Sequence, residues 1–208
     1  ESLWISDDIS KKFQENNSIS ILVRLTAQMR SIEDKLIKYA LPYEIIGGPR
    51  FFERKEIKDI LAYLKLANSF QDDLSFERII NLPKRGVGDQ SLKLIINNAR
   101  EKNISFFDSL ESLSSENKLP GSLIVKTKPF VDIIKKTSDL LNKTTLEDIG
   151  IFIIEESGYL KMLENEKNKL KQVENETRID NLKELVNALS EFENLDDFLE
   201  HVGLVNEN

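Results

Sequence analysis

Apolar positions along the first fifty residues switch between two periods. Ile5, Ile9 and Phe13 recur every four residues, a stripe that predicts a helix from Leu3 to Phe13. Asn16-Asn17 ends it, and the short β-branched run Ile19-Ser20-Ile21-Leu22-Val23 reads as a buried strand. Ile32, Leu36, Ile37 and Ala40 form the inner face of a second helix. That helix must stop before Pro42, because the residue preceding a proline is pushed out of the α region. Tyr43-Glu44-Ile45-Ile46 predicts a second strand, closed by Gly47-Gly48-Pro49.

Beyond Phe51 the period is helical almost throughout. Ile57, Ile60, Leu61 and Leu64 repeat at three to four residues, and Asp72-Asp73 open a short helix carrying Phe76, Ile79 and Ile80 that Pro83 stops. Asp89 is placed to cap a helix with Leu92, Ile95, Ile96 and Ala99 inside, and Ser105 to cap another with Phe106 and Leu110. Residues 112–121 read as a polar loop. The helix through Ile133 and Leu140 is expected to start near Pro129, since proline is tolerated in a first turn and not in a helix interior. Thr145 begins the next helix and Gly158 ends it; a long amphipathic helix follows over 167–193, then a short one holding Phe198 and Leu199. The expected fold class is mainly α, with a small N-terminal α/β piece.

Composition narrows the chemistry. Of 208 residues, 40% are hydrophobic and 31% charged, too apolar for a disordered tail. No apolar run approaches the roughly 20 residues of a membrane span, and no basic-then-apolar leader opens the chain, so a soluble, cytoplasmic protein with no membrane partner is expected. Both ends read as cut from something longer. With no cysteine, disulfides, iron–sulfur clusters and thiolate zinc sites are excluded, and the one histidine, His201, leaves no multi-histidine metal site. Charge is uneven. Residues 50–102 carry 11 Lys/Arg against 8 Asp/Glu, whereas residues 147–208 carry 6 against 16. A polyanion should therefore meet the first region and avoid the second.

The sharpest local feature is Leu82-Pro83-Lys84-Arg85-Gly86-Val87-Gly88-Asp89. A glycine–apolar–glycine turn between two helices presents backbone N–H groups at the positive end of the following helix. Without side chains at Gly86 and Gly88 a phosphate can approach the main chain, and Lys84 and Arg85 add full charges. This is the mechanism of a helix–hairpin–helix element, which holds nucleic-acid backbone without reading bases. The same residues equally describe a tight turn with exposed basic neighbours. Further along the chain from the first strand, the alternating signs of Arg54-Lys55-Glu56-Ile57-Lys58-Asp59 describe a solvated helix face, with Lys55–Asp59 as a matched pair. The preceding Gly-Gly-Pro and the two phenylalanines mark a junction between packed units.

Several segments, in order along nearly the whole chain, resemble UvrD/Rep/PcrA-type superfamily 1 DNA helicases. They are Ile21 to Arg30 (ILVRLTAQMR), Pro42 to Asp59 (PYEIIGGPRFFERKEIKD) and Phe76 to Asp89 (FERIINLPKRGVGD). Glu156 to Tyr159 (ESGY), Glu176 to Leu182 (ETRIDNL) and Asp197 to Val205 (DFLEHVGLV) continue the series. The resemblance implies that residues 1–50 are part of the RecA-like subdomain called 2A, and that 51–205 are the helical, DNA-engaging 2B subdomain inserted in it. It further implies contact of Lys84, Arg85, Gly86, Val87, Gly88 and Asp89 with duplex backbone. Arg24, Gln28 and Arg30 would face single-stranded DNA, helix capping and packing being an equal alternative, and Gly47, Gly48 and Pro49 would form a hinge. The pattern departs from the family where Leu25 and Met29 replace a threonine and a serine. The implied function is the accessory region of an ATP-dependent 3′–5′ DNA helicase in repair or replication. Its partners would be a single-strand/duplex junction, the remaining helicase subdomains and repair proteins. No G-x-x-x-x-G-K-[ST] stretch is present, so ATP and Mg2+ are expected in the parent protein, no cofactor and no metal in this stretch, and no catalytic residue here.

Other candidates weigh less. Asp72-Asp73 and Glu155-Glu156 are adjacent on helices and point about 100° apart, which suits a helix start or a solvated edge better than a paired acid–base site. His201 is expected at the surface and Trp4 in packing. A free-standing helix–hairpin–helix module and a helical protein-interaction domain with 147–208 as its surface remain as rival readings.

Overall fold

The helix α3 (Lys55–Asn68) is buried on nearly every side, with only Lys55, Lys58, Lys65 and Asn68 exposed. A helix buried on nearly every side belongs at the centre of a packed unit, and the other elements gather on it. In the computed structural model, which describes residues 2–12, 18–24, 28–46 and 48–207, α3 packs against α4 (Asp73–Ile79), α7 (Gly121–Leu140), α8 (Leu146–Glu156) and α10 (Lys169–Leu189). Outside this group lie α5 (Asp89–Lys102) against α6 (Phe106–Ser115), and α9 (Tyr159–Glu164) against α8 and α10. A 3-10 turn at Phe51–Glu53 joins α3 to α11 (Leu195–Glu207). At the N-terminus α1 (Ser2–Lys12) pairs with α2 (Met29–Lys38). Phe130 of α7 anchors an aromatic cluster, with edge contacts to Tyr63, Phe76 and Phe107 at centroid separations of 6.1, 5.9 and 6.5 Å.

The mainly α class is observed, and several expected boundaries move. No strand forms among the described residues. Leu22 and Ile46, expected inside strands, are 96% and 92% exposed. A β-branched run becomes a strand only when another strand supplies its hydrogen-bond ladder, and none lies beside either segment among the described residues. Pro129 sits in the interior of α7 rather than at its start, and Pro120 is the cap. Pro129 faces solvent, where the carbonyl it leaves unpaired can be hydrated, while Leu123, Phe130 and Ile134 on the opposite side are buried. That burial exceeds the ~3 kcal/mol an interior proline costs. Residues 112–115, expected in a loop, complete α6, and the cap of α5 is Gly88, with Asp89 the first helical residue. Asp72, Ser105 and Thr145 each cap as expected, accepting the amides of Ser75, Asp108 and Asp148.

The charge alternation after Phe52 is not a solvated face. Arg54, Glu56 and Asp59 are all buried, and Asp59 bonds Arg78 and Tyr159 instead of Lys55. Beside this end of α3, Glu33 of α2 is 3% exposed and accepts the Phe51 amide at a long 3.4 Å. Its Oε1 and the Tyr43 hydroxyl are buried without partners among the described residues. Burial pushes the Glu33 carboxyl up from an ordinary 4.5 to about 7, only partly opposed by the Phe51 amide and the Arg54 guanidinium. The folded state therefore holds a proton that the unfolded chain releases, so this group's contribution is complete below pH 4.5 and declines as pH rises to about 7. Glu33→Gln should match the parent near pH 5 and exceed it at pH 8 by on the order of 1–3 kcal/mol in thermal or urea unfolding. A stability difference that is the same at both pH values would contradict this assignment.

Candidate nucleic-acid interface

The turn between α4 and α5 is built from the inside. The Leu82–Pro83 peptide is cis, and the Tyr63 hydroxyl donates to the Leu82 carbonyl at 2.7 Å. Arg85 points inward and is 8% exposed. Its guanidinium donates to the carbonyls of Ile79 (2.9 Å), Ile80 (3.2 Å), Pro83 (3.3 Å) and Ser157 (3.4 Å) and to the Tyr63 hydroxyl (2.8 Å). It also lies 5.0 Å from the centroid of the Phe130 ring. The Asn81 side-chain oxygen collects three successive amides, those of Arg85 (2.8 Å), Gly86 (3.1 Å) and Val87 (3.3 Å). Gly86 adopts φ +80°, the left-handed conformation that turns these amides onto one point. The amides expected to face outward are thus held by Asn81 up to Val87, whose side chain is buried.

What the turn offers to solvent begins at Gly88. That residue is exposed and gives no side-chain cap, so the first-turn amides of Asp89, Gln90 and Ser91 meet no acceptor among the described residues. A Cβ added at Gly88 would touch nothing within 4 Å. Lys84 is exposed in the turn. Lys126 of α7 lies over Gly86, with Cδ and Nζ each 3.8 Å from where a Cβ would stand. The sequence reading missed Lys126, forty residues away, because no local pattern marks it.

The other expected groups are dispersed. Arg24 is exposed, and Gln28 is exposed at the start of α2. Arg30 is 5% exposed and meets Glu184 (2.7 Å) of α10, Glu191 (2.7 Å) in the turn after α10 and Asp34 (2.8 Å) of its own helix. Burial acts to lower its pKa, but the bonds to Glu191 and Glu184 and the charge of Asp34 raise it above the ordinary value. Of the hinge residues, Gly48 and Pro49 are exposed, and Gly47 lies outside the described residues. His201 is partly buried against Phe52 and Phe192 and lies 3.3 Å from Asp34, while Trp4, expected in packing, is 70% exposed. Glu155 and Glu156 form a solvated edge, and Asp73 accepts the Phe106 amide at 2.8 Å. Among the described residues no three His, Asp or Glu side chains gather as metal ligands.

The motifs that looked most alike to the helicases meet in the interior. Asn181 accepts from Arg54 at 2.8 Å and donates to Glu56 at 2.6 Å, joining the ETRIDNL and FFERKE segments. The Tyr159 hydroxyl donates to Asp59 at 2.7 Å, and burial, followed by the charge of Asp59 and this bond, pushes the phenol well above its ordinary range. Arg85 in turn reaches Ser157. Arg85→Lys keeps the charge but not the planar fork that spans four carbonyls and a hydroxyl. It should lower stability by about 2–3 kcal/mol in urea unfolding. An unchanged midpoint would mean that Arg85 does not organise the turn.

All 208 residues match the family described as UvrD-like helicase C-terminal domain. The chain is 38% identical over 212 residues to a probable DNA helicase II homolog of Rickettsia conorii, a match covering all of this chain and 32% of that protein. It is 41% identical over 173 residues to DNA helicase II of Haemophilus influenzae, covering 83% of this chain and 23% of the relative. With the ATP-dependent DNA helicase PcrA of Bacillus subtilis the identity is 36% over 177 residues, covering 85% and 23%. The chain spans about a third, or less, of the length of these curated relatives. No described helix is long and apolar enough to cross a membrane. With the match running from the first residue to the last, and relatives of the same kind in several bacteria, this chain belongs to the UvrD-like helicase C-terminal domain family.

Proposed function

We propose that this chain is the duplex-engaging accessory region of an ATP-dependent DNA helicase that moves 3′ to 5′ in repair or replication in the cytoplasm. Residues 51–205 are its helical 2B part and residues 1–50 a portion of the RecA-like 2A part. The observation that carries this reading is the α4–α5 turn: open first-turn amides after a glycine cap, with the exposed Lys84 in the turn and Lys126 beside Gly86. Such a surface holds phosphate by charge and main chain and reads no base. Within the predicted set, Gly88 and the amide of Asp89 would meet phosphate directly with Lys84, while Arg85, Gly86 and Val87 shape the turn. The exposed Trp4, Leu22 and Ile46 suit surfaces that the rest of a RecA-like sheet would cover. ATP and Mg2+ do not fit the residues present, which include no G-x-x-x-x-G-K-[ST] phosphate-binding loop.

The test is titration of a single-strand/duplex DNA junction by fluorescence anisotropy across a range of salt. Lys84→Gln should flatten the log–log salt dependence by about one unit, as expected for one lost phosphate contact. Gly88→Thr keeps a good capping residue but fills the approach, and should weaken binding with helix content unchanged. If neither variant changes affinity or slope, the turn is only a connector.

Movement of the two parts about Gly47, Gly48 and Pro49 belongs to the same reading. Arg30, with its partners Glu184 on α10 and Glu191 just after it, is the tie such a swing must break. In the complete helicase, single-molecule fluorescence should report at least two separations between the parts, and Arg30→Ala should enrich the wider one. One fixed distance in all salt and DNA conditions, in both proteins, would rule the hinge out.

A further inference from the structure

We propose that Lys126 of α7 supplies the second cation of the phosphate surface at the Gly86 turn, the role that sequence adjacency suggested for Arg85. The inference rests on the reading of the turn as a DNA contact and adds a helix to it. The ligand is the sugar–phosphate backbone of duplex DNA.

Three observations carry it. First, Arg85 is spent internally on four carbonyls, the Tyr63 hydroxyl and the Phe130 ring, so its charge is not presented to a ligand. Second, Lys126 stretches over Gly86, its Cδ and Nζ 3.8 Å from the Cβ position there. Gly86 thus serves twice: its φ of +80° closes the turn on Asn81, and its missing side chain leaves the surface beneath the lysine open. Third, Lys126 is exposed and neither hydrogen-bonded nor ion-paired among the described residues, unlike Lys135, which meets Glu111, and Lys102, which meets Glu116. An ammonium on a flexible stem beside open backbone is a point charge suited to phosphate, and its distance from any carboxylate partner spares it competition for that role. Lys84 and Lys126 then both stand at the turn that leads into α5, one from the turn itself and one from α7. A phosphate backbone crossing this place would touch α7 as well as the α4–α5 turn.

The experiment compares four variants of the full chain with the parent protein in the salt-dependent junction titration. Lys126→Gln should weaken binding and lower the log–log slope by about one unit, and Lys126→Arg should restore both. Lys84→Gln serves as the reference for the turn itself. Lys183→Gln, which removes an equal charge from a lysine paired with Asp180 on α10, should leave affinity and slope unchanged. Circular dichroism checks the helix content of each. If Lys84→Gln has its effect and Lys126→Gln behaves as the parent, Lys126 is excluded while the DNA reading stands. A loss in Lys183→Gln equal to that in Lys126→Gln would also overturn the proposal, because net charge alone would then explain it. A parent chain with no salt-dependent binding would remove the DNA reading, and this inference with it.

Discussion

Three polar side chains on one face of the central helix govern how this molecule packs. Glu56, Asp59 and Tyr63 of α3 are 4%, 1% and 0% exposed, and each must be matched inside the fold. An uncompensated buried charge costs about 3–5 kcal/mol, a large part of a domain's net stability. Each match fixes a different neighbour. Asn181 of α10 bonds Glu56, with the Arg178 guanidinium 3.9 Å from the same carboxylate. Arg78 of α4 and Tyr159 of α9 bond Asp59, and the α4–α5 turn bonds Tyr63 through Leu82 and Arg85. Apolar burial draws these helices together without direction. The polar stripe sets which helix lies where.

The same stripe shapes the surface turn. Tyr63 sits at the stripe's far end, and its hydroxyl accepts from Arg85 while donating to Leu82. Arg85 draws the ends of α4 and α8 to the turn, and Asn81 gathers the amides that follow. The backbone at Gly86 and Gly88 is therefore held from beneath by buried contacts, which leaves its outer side free for a ligand. Preorganisation of this kind spares a binding partner the entropy of ordering the loop. The arginine that most resembled a phosphate ligand acts as the mount.

Charge segregation has a similar double use. The acidic C-terminal third is partly consumed within the chain, since Glu184 on α10 and Glu191 in the turn after it meet Arg30. These ion pairs tie the N-terminal helices to the helical body, beside the apolar contact that Ile37 of α2 makes with the main core. Ion pairs with partners that reach solvent, as Glu191 does, can be exchanged for hydration at modest cost. A seam of that composition suits parts that change position.

Helix periods, three of the four predicted caps and the family were legible along the chain, because each depends on neighbours within a few residues or on ordered motifs. The Gly-Val-Gly turn was likewise visible as a place where backbone could be approached. Which charges belong to the interior was not legible: Arg30, Arg54, Glu56, Asp59 and Arg85 look like surface residues in a linear reading, and all are buried. Nor did any local signal bring Lys126 to Gly86. The two apolar β-branched runs show the limit from the other side, since their composition favours strands but a strand exists only beside another. Local sequence determined the helices and the turn; partners distant in sequence decided which polar groups lie inside, because burying a charge is possible only where the fold brings its match.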